Sequence, residues 1–591
     1  MVTIAAWLFG PLVGPECQRA LARGWLILVR TLAAMAVMAP TIVVLWLWWM
    51  ARYTNPTYSP YELFRTGIII VEGFLISASL ILAPAVLAGS LAGEKERGAL
   101  GLLLTTRVSP YEIVMGRVAG KLAQISMILL GGLPPLVLFA GWSGVYAREL
   151  GALLGMIAAV TLGAAGIATA VSAVSRRGRD ALLSVYLIEA LCLLAPAIVS
   201  LGNLPKGGEI VSALNPYHGL AELIWQEDYQ PALITMAAWF GMGIVGLAVA
   251  SWRLYPASLK ELDGSRKPRR SYRRSHVPEP YDEHPMIWKE LYVERGGALG
   301  GVGRWLIMGL TVLLMGGTIG LASMIAWEYI FRYGDMSTFE WVRDIIQRSI
   351  EFSGYVVGWL VAWAIGLRAA VVIASERERG TWDAILTSPL ESRDIINAKL
   401  WGSLYALRWL IVAALLNWTV AWALGVIGAL QYFDWVLGML VGGTFMAVAG
   451  LRSSLASATA TKAMAVTMGI WLLAQVAGRM IAGLLVGLSL VIVVLSASLL
   501  SDAPVFQIMG GYSWMLGVGW VFSVHLVFGI ATVILLGYTR ILFDRLAGRR
   551  AGGRLSVTAE RLLNGDPTLR IPVKVGPKEK HSGVDEVVDA H

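Results

Sequence analysis

Charged residues are scarce in this sequence. Asp, Glu, Lys and Arg make up 15% of its 591 residues, and apolar residues make up 57%. A soluble protein carries about 25% charged residues, so this composition excludes an ordinary soluble domain. Apolar runs near or above the roughly 20 residues that cross a bilayer as a helix recur along the whole chain. Because backbone groups in lipid must hydrogen-bond within their own segment, the sequence predicts an all-α polytopic membrane protein rather than a sheet.

Residue types that carry catalysis or bind metals are also few. The two cysteines, Cys17 and Cys192, lie far apart, which excludes a disulfide framework, and the six histidines show no metal-binding spacing. The phosphate-binding pattern G-x-x-x-x-G-K-[ST] does not occur. The longest polar stretches, 255–302 and 540–591, are too short to form a nucleotide-binding domain. We therefore expect no enzyme activity, no cofactor site and no metal site in this chain.

About twelve membrane-spanning helices are predicted, six in each half. Those of the first half are 26–50, 66–92, 113–141, 150–174, 181–202 and 231–254, and those of the second are 303–327, 350–375, 395–424, 434–458, 463–485 and 515–539. The apolar stretch 463–501 exceeds one upright span, which predicts a short re-entrant piece around 486–512.

The distribution of basic residues predicts the orientation. The loop 176–179 and the linker segment 265–275 are rich in Arg, whereas the loops 425–434 and 501–514 contain no Lys or Arg. Cytosolic loops are enriched in Lys and Arg, so both termini are predicted to be cytosolic, in a multi-pass protein of the cell inner (cytoplasmic) membrane. A nucleic-acid site at 265–275 is the alternative, but a topology signal near anionic lipid is favoured, and no nucleic-acid partner is expected.

A charged, glycine-containing segment occurs twice. EKERGALGLLLTTRVSPYEIVMGRV begins at Glu94, and ERERGTWDAILTSPLESRDIINAKL begins at Glu376, an offset of 282 residues. The same offset pairs Ser172 with Ser454, two spans downstream. One register over nearly 90 residues indicates duplication of a six-span unit. Two such units would have the same orientation and be related by an axis along the membrane normal.

Each copy of the segment is predicted to form a short cytosolic helix between two spans. Gly98 and Gly380 permit a sharp change of chain direction. Thr381 is expected to cap the new helix, which would present apolar side chains, namely Trp382, Ile385 and Leu386 in the second copy. In the first copy Ser109 and Glu112 form a capping box that opens the next span. The apolar side of the short helix could lie on lipid or fit a groove on a cytosolic partner. The partner is favoured, because anionic lipid would repel the flanking carboxylates.

These residues resemble a known family. The pattern E-x-E-R-G-T, a short hydrophobic stretch and T-S-P-L in the second copy is similar to the intracellular loop of ABC-2 type transporter permeases. NPYHGLAEL at 215–223 resembles the stretch between the fifth and sixth spans of that family, and PMIWKELYVERGG at 285–297 resembles its amphipathic elbow. PLVGPECQRALARG, near the start, is a weaker version of the elbow. Two departures occur in the first copy, where Arg107 replaces the Pro and Gly101 the acidic residue.

The resemblance implies a permease subunit of an ATP-binding-cassette exporter, with two six-span units fused in one chain. The implied divisions are a first unit 1–254 with elbow 1–25 and coupling loop 94–112, a basic linker 255–284, a second unit 285–540 with elbow 285–300 and coupling loop 376–394, and a tail 541–591. Separate ATPase subunits, two copies, would bind ATP and Mg and dock on the coupling helices. The implied docking residues are Glu94, Glu96, Arg97, Gly98, Leu103, Leu104, Glu376, Glu378, Arg379, Gly380, Thr381, Trp382, Asp383 and Leu386.

Two carboxylates fall within predicted spans and leave a second function open. A charge at mid-bilayer costs at least about 2.5–3.5 kcal/mol, so Glu72 and Glu189 are candidates for an intramembrane polar pathway or for a structural contact between helices. A pathway would suit a secondary transporter driven by an ion gradient, which leaves the duplicated loops unexplained. A membrane scaffold that transports nothing is the third alternative.

Overall fold

The computed structural model describes most of the apolar part of the chain. It describes residues 13–22, 25–54, 61–96, 108–175, 177–202, 208–262, 285–293, 336–388, 390–500 and 513–547, with isolated residues at 100, 106 and between 308 and 323. Within these ranges almost every residue is helical and none is in a strand. The all-α prediction is confirmed for this part of the protein.

The helices of the first half follow the predicted spans closely. They are α1 (Val13–Leu21), α2 (Trp25–Thr54), α3 (Tyr61–Glu96), α4 (Pro110–Leu129), α5 (Leu133–Trp142), α6 (Ala147–Val174), α7 (Gly178–Gly202), α8 (Gly208–Ser212), α9 (Pro216–Ala221) and α10 (Tyr229–Leu262). A single 3-10 turn, Leu130–Gly132, joins α4 to α5, so the two together form one long span.

The second half repeats much of this order. Its helices are α11 (Pro285–Trp288), α12 (Met336–Glu378), α13 (Trp382–Leu386), α14 (Ser392–Ala406), α15 (Arg408–Ala423), α16 (Ala429–Ala456), α17 (Ala460–Leu500) and α18 (Ser513–Ala547). The predicted span 303–327 lies almost wholly outside the described residues, as do most of the linker 255–284 and of the tail 541–591.

The described helices make this a multi-pass membrane protein. Nine of them are long and apolar enough to cross a bilayer, and α14 with α15, which meet at a bend of 54°, form a tenth candidate. The described α7 covers the predicted span 181–202 without being among these ten. The prediction of a re-entrant piece is wrong for 486–500, because α17 continues without a break to Leu500; residues 501–512 lie outside the described part.

Glycines bring α6 and α10 into backbone contact, as the glycine-rich fourth span suggests. A Cβ atom at Gly166 would lie 2.3 Å from the carbonyl oxygen of Gly243, and one at Gly246 would lie 2.5 Å from the carbonyl oxygen of Gly166. Gly163 is packed in the same way on Trp239. Small residues allow such approach between helices in lipid, where dispersion and close packing replace the hydrophobic effect.

The two halves meet through matching helices. In the first half α3 contacts α17 of the second half, and α12 of the second half contacts α7 of the first. Where α17 meets α3, Thr461 packs between Gly89 and Gly178. Where α12 meets α7, the ring centroids of Trp363 and Tyr186 lie 6.0 Å apart. This exchange of equivalent helices is the arrangement expected of a duplicated unit.

Candidate functional site

Two buried serine hydroxyls anchor the ends of α3 and α12 in the same way. Ser172 accepts hydrogen bonds from the backbone N–H groups of residues 91–92 at 3.2 and 3.0 Å. Ser454 accepts from those of residues 373–374 at 3.1 and 2.8 Å. Every member of the first contact maps onto the second by the offset of 282, so the repeat found in the sequence is also a repeat of tertiary contacts.

A basic residue strengthens each anchor one turn further along the helix. The Lys95 ammonium donates to the carbonyl oxygen of Ala173, and the Arg377 guanidinium donates to that of Leu455 at 3.3 Å. These contacts satisfy carbonyls at the ends of α6 and α16, which have no partner within their own helix. Each loop therefore starts from a fixed point on the fourth span of its half.

An ion-pair network lies beside the first anchor. The Arg117 guanidinium, on α4, contacts the Glu94 carboxylate on α3 and lies 3.1 Å from the Glu16 carboxylate on α1. The Arg117 side chain is 31% exposed. Because these groups keep part of their hydration, their attraction contributes modestly to stability.

The second network has the same layout, and its three central side chains are fully buried. The Lys399 ammonium lies 2.7 Å from the Glu376 carboxylate and 2.5 Å from that of Glu290, and the Lys289 ammonium lies 2.8 Å from Glu376. The side chains of Lys399, Glu376 and Glu290 are all 0% exposed. Buried charges are costly unless paired, so this network holds the helical turn Lys289–Val293, which follows α11, against α12 and α14.

Each elbow helix packs on a glycine of the third span. A Cβ atom at Gly120 would lie 3.1 Å from the Glu16 carbonyl oxygen, and one at Gly402 would lie 2.7 Å from the Glu290 Cβ. The offset of 282 also relates these two glycines. The sequence stretches identified as elbows are therefore fixed against the spans that follow the two loops.

The second loop turns sharply at the predicted glycine. Gly380 has φ +70°, a conformation that only glycine adopts without strain, and its N–H donates to the carbonyl oxygen of Arg377 at 3.1 Å. The short helix α13 follows after one residue, as predicted. The prediction that Thr381 caps this helix is wrong, because the Thr381 hydroxyl donates to the Glu376 carbonyl at 3.3 Å and makes no capping bond.

The apolar side of α13 faces the interior of the protein. Trp382 and Ile385 are buried, and the Trp382 ring lies edge-on to Phe543 of α18 with 6.3 Å between centroids. Leu386 is half-buried in the same cluster. The expectation that the short helix presents these side chains at the surface is wrong for Trp382 and Ile385, since the end of the sixth span covers them.

The polar residues of the loop are the ones left on the surface. Glu378, Arg379 and Asp383 are exposed, although Glu378 also accepts a hydrogen bond from the Ala460 N–H at 2.8 Å. Glu376 is buried in the network described above. A partner that reaches this loop would therefore meet its charged face rather than its apolar face.

The first loop is described only at its edges. Arg97, Gly98, Leu103 and Leu104 lie outside the described residues, and so does the side chain of Glu96. Glu94 is described, and it lies in the ion-pair network with Arg117. After the loop, the predicted capping box is confirmed: the Glu112 N–H donates to the Ser109 hydroxyl at 3.3 Å, and the Ser109 N–H donates to the Glu112 carboxylate at 2.8 Å.

Several residues of the two networks were not identified from the sequence. Glu16, Lys289 and Glu290 belong to segments identified as elbows. Phe543, which contacts the second loop, lies near the end of α18, in the segment identified as the tail. A usable signal was present for the acids, because each elbow carries a glutamate and the third span carries a base at matched positions, Arg117 and Lys399. No periodicity in the sequence indicates the contact of Phe543 with α13.

The two carboxylates of the predicted polar pathway are deep in the first half. Glu72 on α3 is 0% exposed and Glu189 on α7 is 2% exposed. Within the described part of the chain, none of their carboxylate oxygens has a hydrogen-bond partner. A buried carboxylate without a partner is costly, so both remain candidates for the polar pathway or for a structural contact between helices.

Neither a metal centre nor a known relative assigns a function to these sites. Among the described residues, no cluster of three or more His, Cys, Asp or Glu side chains is placed to hold a metal ion. Comparison with protein-family models, curated proteins and solved structures finds no match to this chain.

Proposed function

We propose that this chain is the permease subunit of an ATP-binding-cassette transporter of the ABC-2 type, an exporter driven by separate nucleotide-binding subunits. The observation that carries the proposal is the repeated attachment of each loop. Glu94 or Glu376 ties the loop to the third span and the elbow, and a serine ties the preceding turns to the fourth span. A force applied to such a loop would move several spans together, as transport by rocking of one half against the other requires.

In this proposal the charged face of each loop meets the ATPase subunit. Arg379 and Asp383 are the side chains exposed for contact in the second half, and the apolar residues beneath them transmit displacement to α18 through Trp382 and Phe543. ATP and Mg would be bound by two copies of the partner, one on each loop. The proposed orientation puts both termini and both loops in the cytosol.

The docking face is tested by reversing one exposed charge. We expect Asp383→Arg to lower the amount of ATPase that co-purifies with the full chain from its native membrane by at least about tenfold, because a reversed charge at a contact opposes association. The measurement is the stoichiometry of the associated subunit and its Mg-ATP hydrolysis after affinity purification. Glu378→Lys is less suitable, since Glu378 also bonds the N-terminus of α17.

A matched control is available at the other end of the spans. Glu62 is an exposed acid in the first turn of α3, remote from both loops, so Glu62→Arg should leave the associated ATPase unchanged. Equal loss in both variants, or no nucleotide-hydrolysing protein with the unmodified chain, would contradict the proposal. The second result would favour a membrane scaffold.

The buried carboxylates favour one other function, transport coupled to an ion gradient. Glu72 and Glu189 are fully buried acids without hydrogen-bond partners among the described residues, and such groups in membrane proteins commonly lie on proton routes. If this function holds, the purified chain in liposomes should carry protons down an imposed pH gradient without ATP. Glu189→Gln should then reduce the flux to that of protein-free liposomes, whereas Glu62→Gln should not. Absence of flux in the unmodified protein would exclude this alternative.

A further inference from the structure

A large cavity in the second half lies away from both loops. It is bounded by α12, α15, α16, α17 and α18 and has a volume of about 820 Å³. Tyr355 marks its position on α12, about 30 Å along that helix from Glu376. Pockets that bind drug-sized molecules have volumes of about 300–1,000 Å³, so the cavity is large enough for such a ligand.

Seven aromatic rings line the cavity. The rings are those of Tyr355, Trp359, Trp418, Trp435, Trp471, Trp520 and Phe528. Several pack on one another, with Trp418 and Trp435 at 5.8 Å and Trp471 and Phe528 at 6.0 Å between centroids. Such a wall gives a flat apolar body a large contact area with little loss of side-chain freedom.

A guanidinium faces this wall. The Arg479 side chain lines the cavity, lies 5.7 Å from the centroid of the Trp359 ring, and is exposed. Among the described lining residues the only carboxylate, that of Asp434, is hydrogen-bonded to the His525 ring at 3.0 Å. The lining therefore offers a guanidinium to a ligand. The Asp434 carboxylate is hydrogen-bonded to His525, and its charge also acts on Arg479.

Two further donors are left without acceptors. Trp418 and Trp435 are 0% and 4% exposed, and within the described residues neither indole N–H has a hydrogen-bond acceptor. Both nitrogen atoms are themselves buried, so they do not open onto the cavity and offer no contact to a ligand there.

The matching region of the first half is filled by protein. Tyr217 of α9 lies 3.9 Å from where a Cβ atom of Gly73 would be, and its hydroxyl lies 2.7 Å from the Ser77 hydroxyl. The offset of 282 matches Gly73 and Ser77 to Tyr355 and Trp359, the residues that line the cavity. The segment of the second half that matches α9 runs into residues 501–512, which lie outside the described part.

We propose that this cavity binds an amphipathic organic anion: a flat apolar body against the tryptophans, with a carboxylate or phosphate held by Arg479. An organic cation would compete with Arg479 for the ring faces and would be repelled by it. This site is independent of ATP and of the docking loops, so it stands whether or not the proposed transporter function holds.

Binding of three matched naphthalene compounds tests the charge of the ligand. Isothermal titration of the full chain in lipid nanodiscs, with empty nanodiscs as the blank, should show that naphthoate binds more tightly than naphthylmethanol, and that naphthylmethylammonium binds most weakly. Arg479→Gln should weaken the binding of naphthoate at least about tenfold and leave the affinity for naphthylmethanol unchanged, because only the anion loses a charged partner.

Two matched controls separate the site from general damage. Arg408 also lies over an aromatic ring, 4.0 Å from the Tyr405 centroid, but outside the cavity, so Arg408→Gln should not alter binding. Gly358 lines the cavity, and a Cβ atom there would lie 3.6 Å from the Trp418 ring. Gly358→Leu should abolish binding of all three compounds by filling the space. Gly469→Leu, on α17 at a position with open space around it, should not.

A competition arm distinguishes the source of the anion. Displacement of naphthoate by palmitate would support a lipid-derived acid, and displacement by soluble aromatic acids alone would support a free metabolite; either result supports the site. Equal affinities for the three compounds, no binding to the unmodified chain, or an unchanged affinity in Arg479→Gln would overturn the proposal.

Discussion

Lys399→Met is expected to destabilise the protein by about 3–5 kcal/mol, the usual cost of removing one partner from a buried ion pair. The substitution keeps the length of the side chain but takes the ammonium from between two carboxylates that are both 0% exposed. The Glu376 carboxylate keeps its contact with Lys289, whereas the cation 2.5 Å from Glu290 is lost. Thermal or denaturant unfolding of the purified chain in detergent measures the change.

The first half contains the matched control for this substitution. Arg117 occupies the equivalent position, but its side chain and those of its partners are 17–31% exposed. Arg117→Met should therefore cost clearly less, because water can replace part of the lost interaction. Lys399→Arg, which introduces the residue of the other half, should retain most of the stability. A loss as large in Arg117→Met as in Lys399→Met would show that burial does not set the cost of losing the cation.

Gly166→Ala is expected to reduce stability, although alanine ordinarily stabilises a helix by about 0.5–1 kcal/mol relative to glycine. The new methyl group would lie 2.3 Å from the Gly243 carbonyl oxygen and 2.6 Å from the Gly243 Cα. These are backbone atoms that cannot rotate away, so α6 and α10 must separate along their length. Overpacking typically costs about 1–3 kcal/mol, and separation of two backbones should reach the upper end. The yield of monodisperse protein and its melting temperature report the effect.

Substitution of another glycine of α6 by alanine is not expected to lower stability. Gly151 lies in α6 with nothing within 4 Å of its added Cβ. Gly151→Ala should therefore leave stability unchanged or raise it slightly. If both alanine substitutions behave alike, the close contact between α6 and α10 is not present in the folded protein.

Local features of the sequence predicted local structure well. The lengths of the apolar runs placed most spans. The Ser109–Glu112 capping box formed as expected, because its residues are neighbours on one turn. Gly380 adopts the turn predicted for it. The failures were of another kind: Thr381 was expected to cap α13, and the extended α17 was expected to break near residue 486.

The candidate site was predicted in position but not in its contacts. The repeat correctly identified Glu94, Glu376, Ser172 and Ser454 as equivalent, since a duplicated contact leaves the same residue types at the same offset. Whether Trp382 faced a partner or the interior depended on α18, which lies more than 100 residues further along the chain. The side chain of Trp382 is equally hydrophobic whether it faces a partner or the interior, so its hydrophobicity could not decide between the two.

The sequence by itself determined that the chain is helical, that it lies in a membrane, and that two of its loops are copies, because apolar length, backbone satisfaction in lipid and residue register are properties of neighbouring residues. Only the tertiary structure decided which copy of the ion-pair network has a buried centre, that α13 turns its apolar side inward, and that aromatic rings from five helices line one cavity in the second half. Each of these depends on which distant helix covers a given face, and that choice is made by packing over the whole bundle.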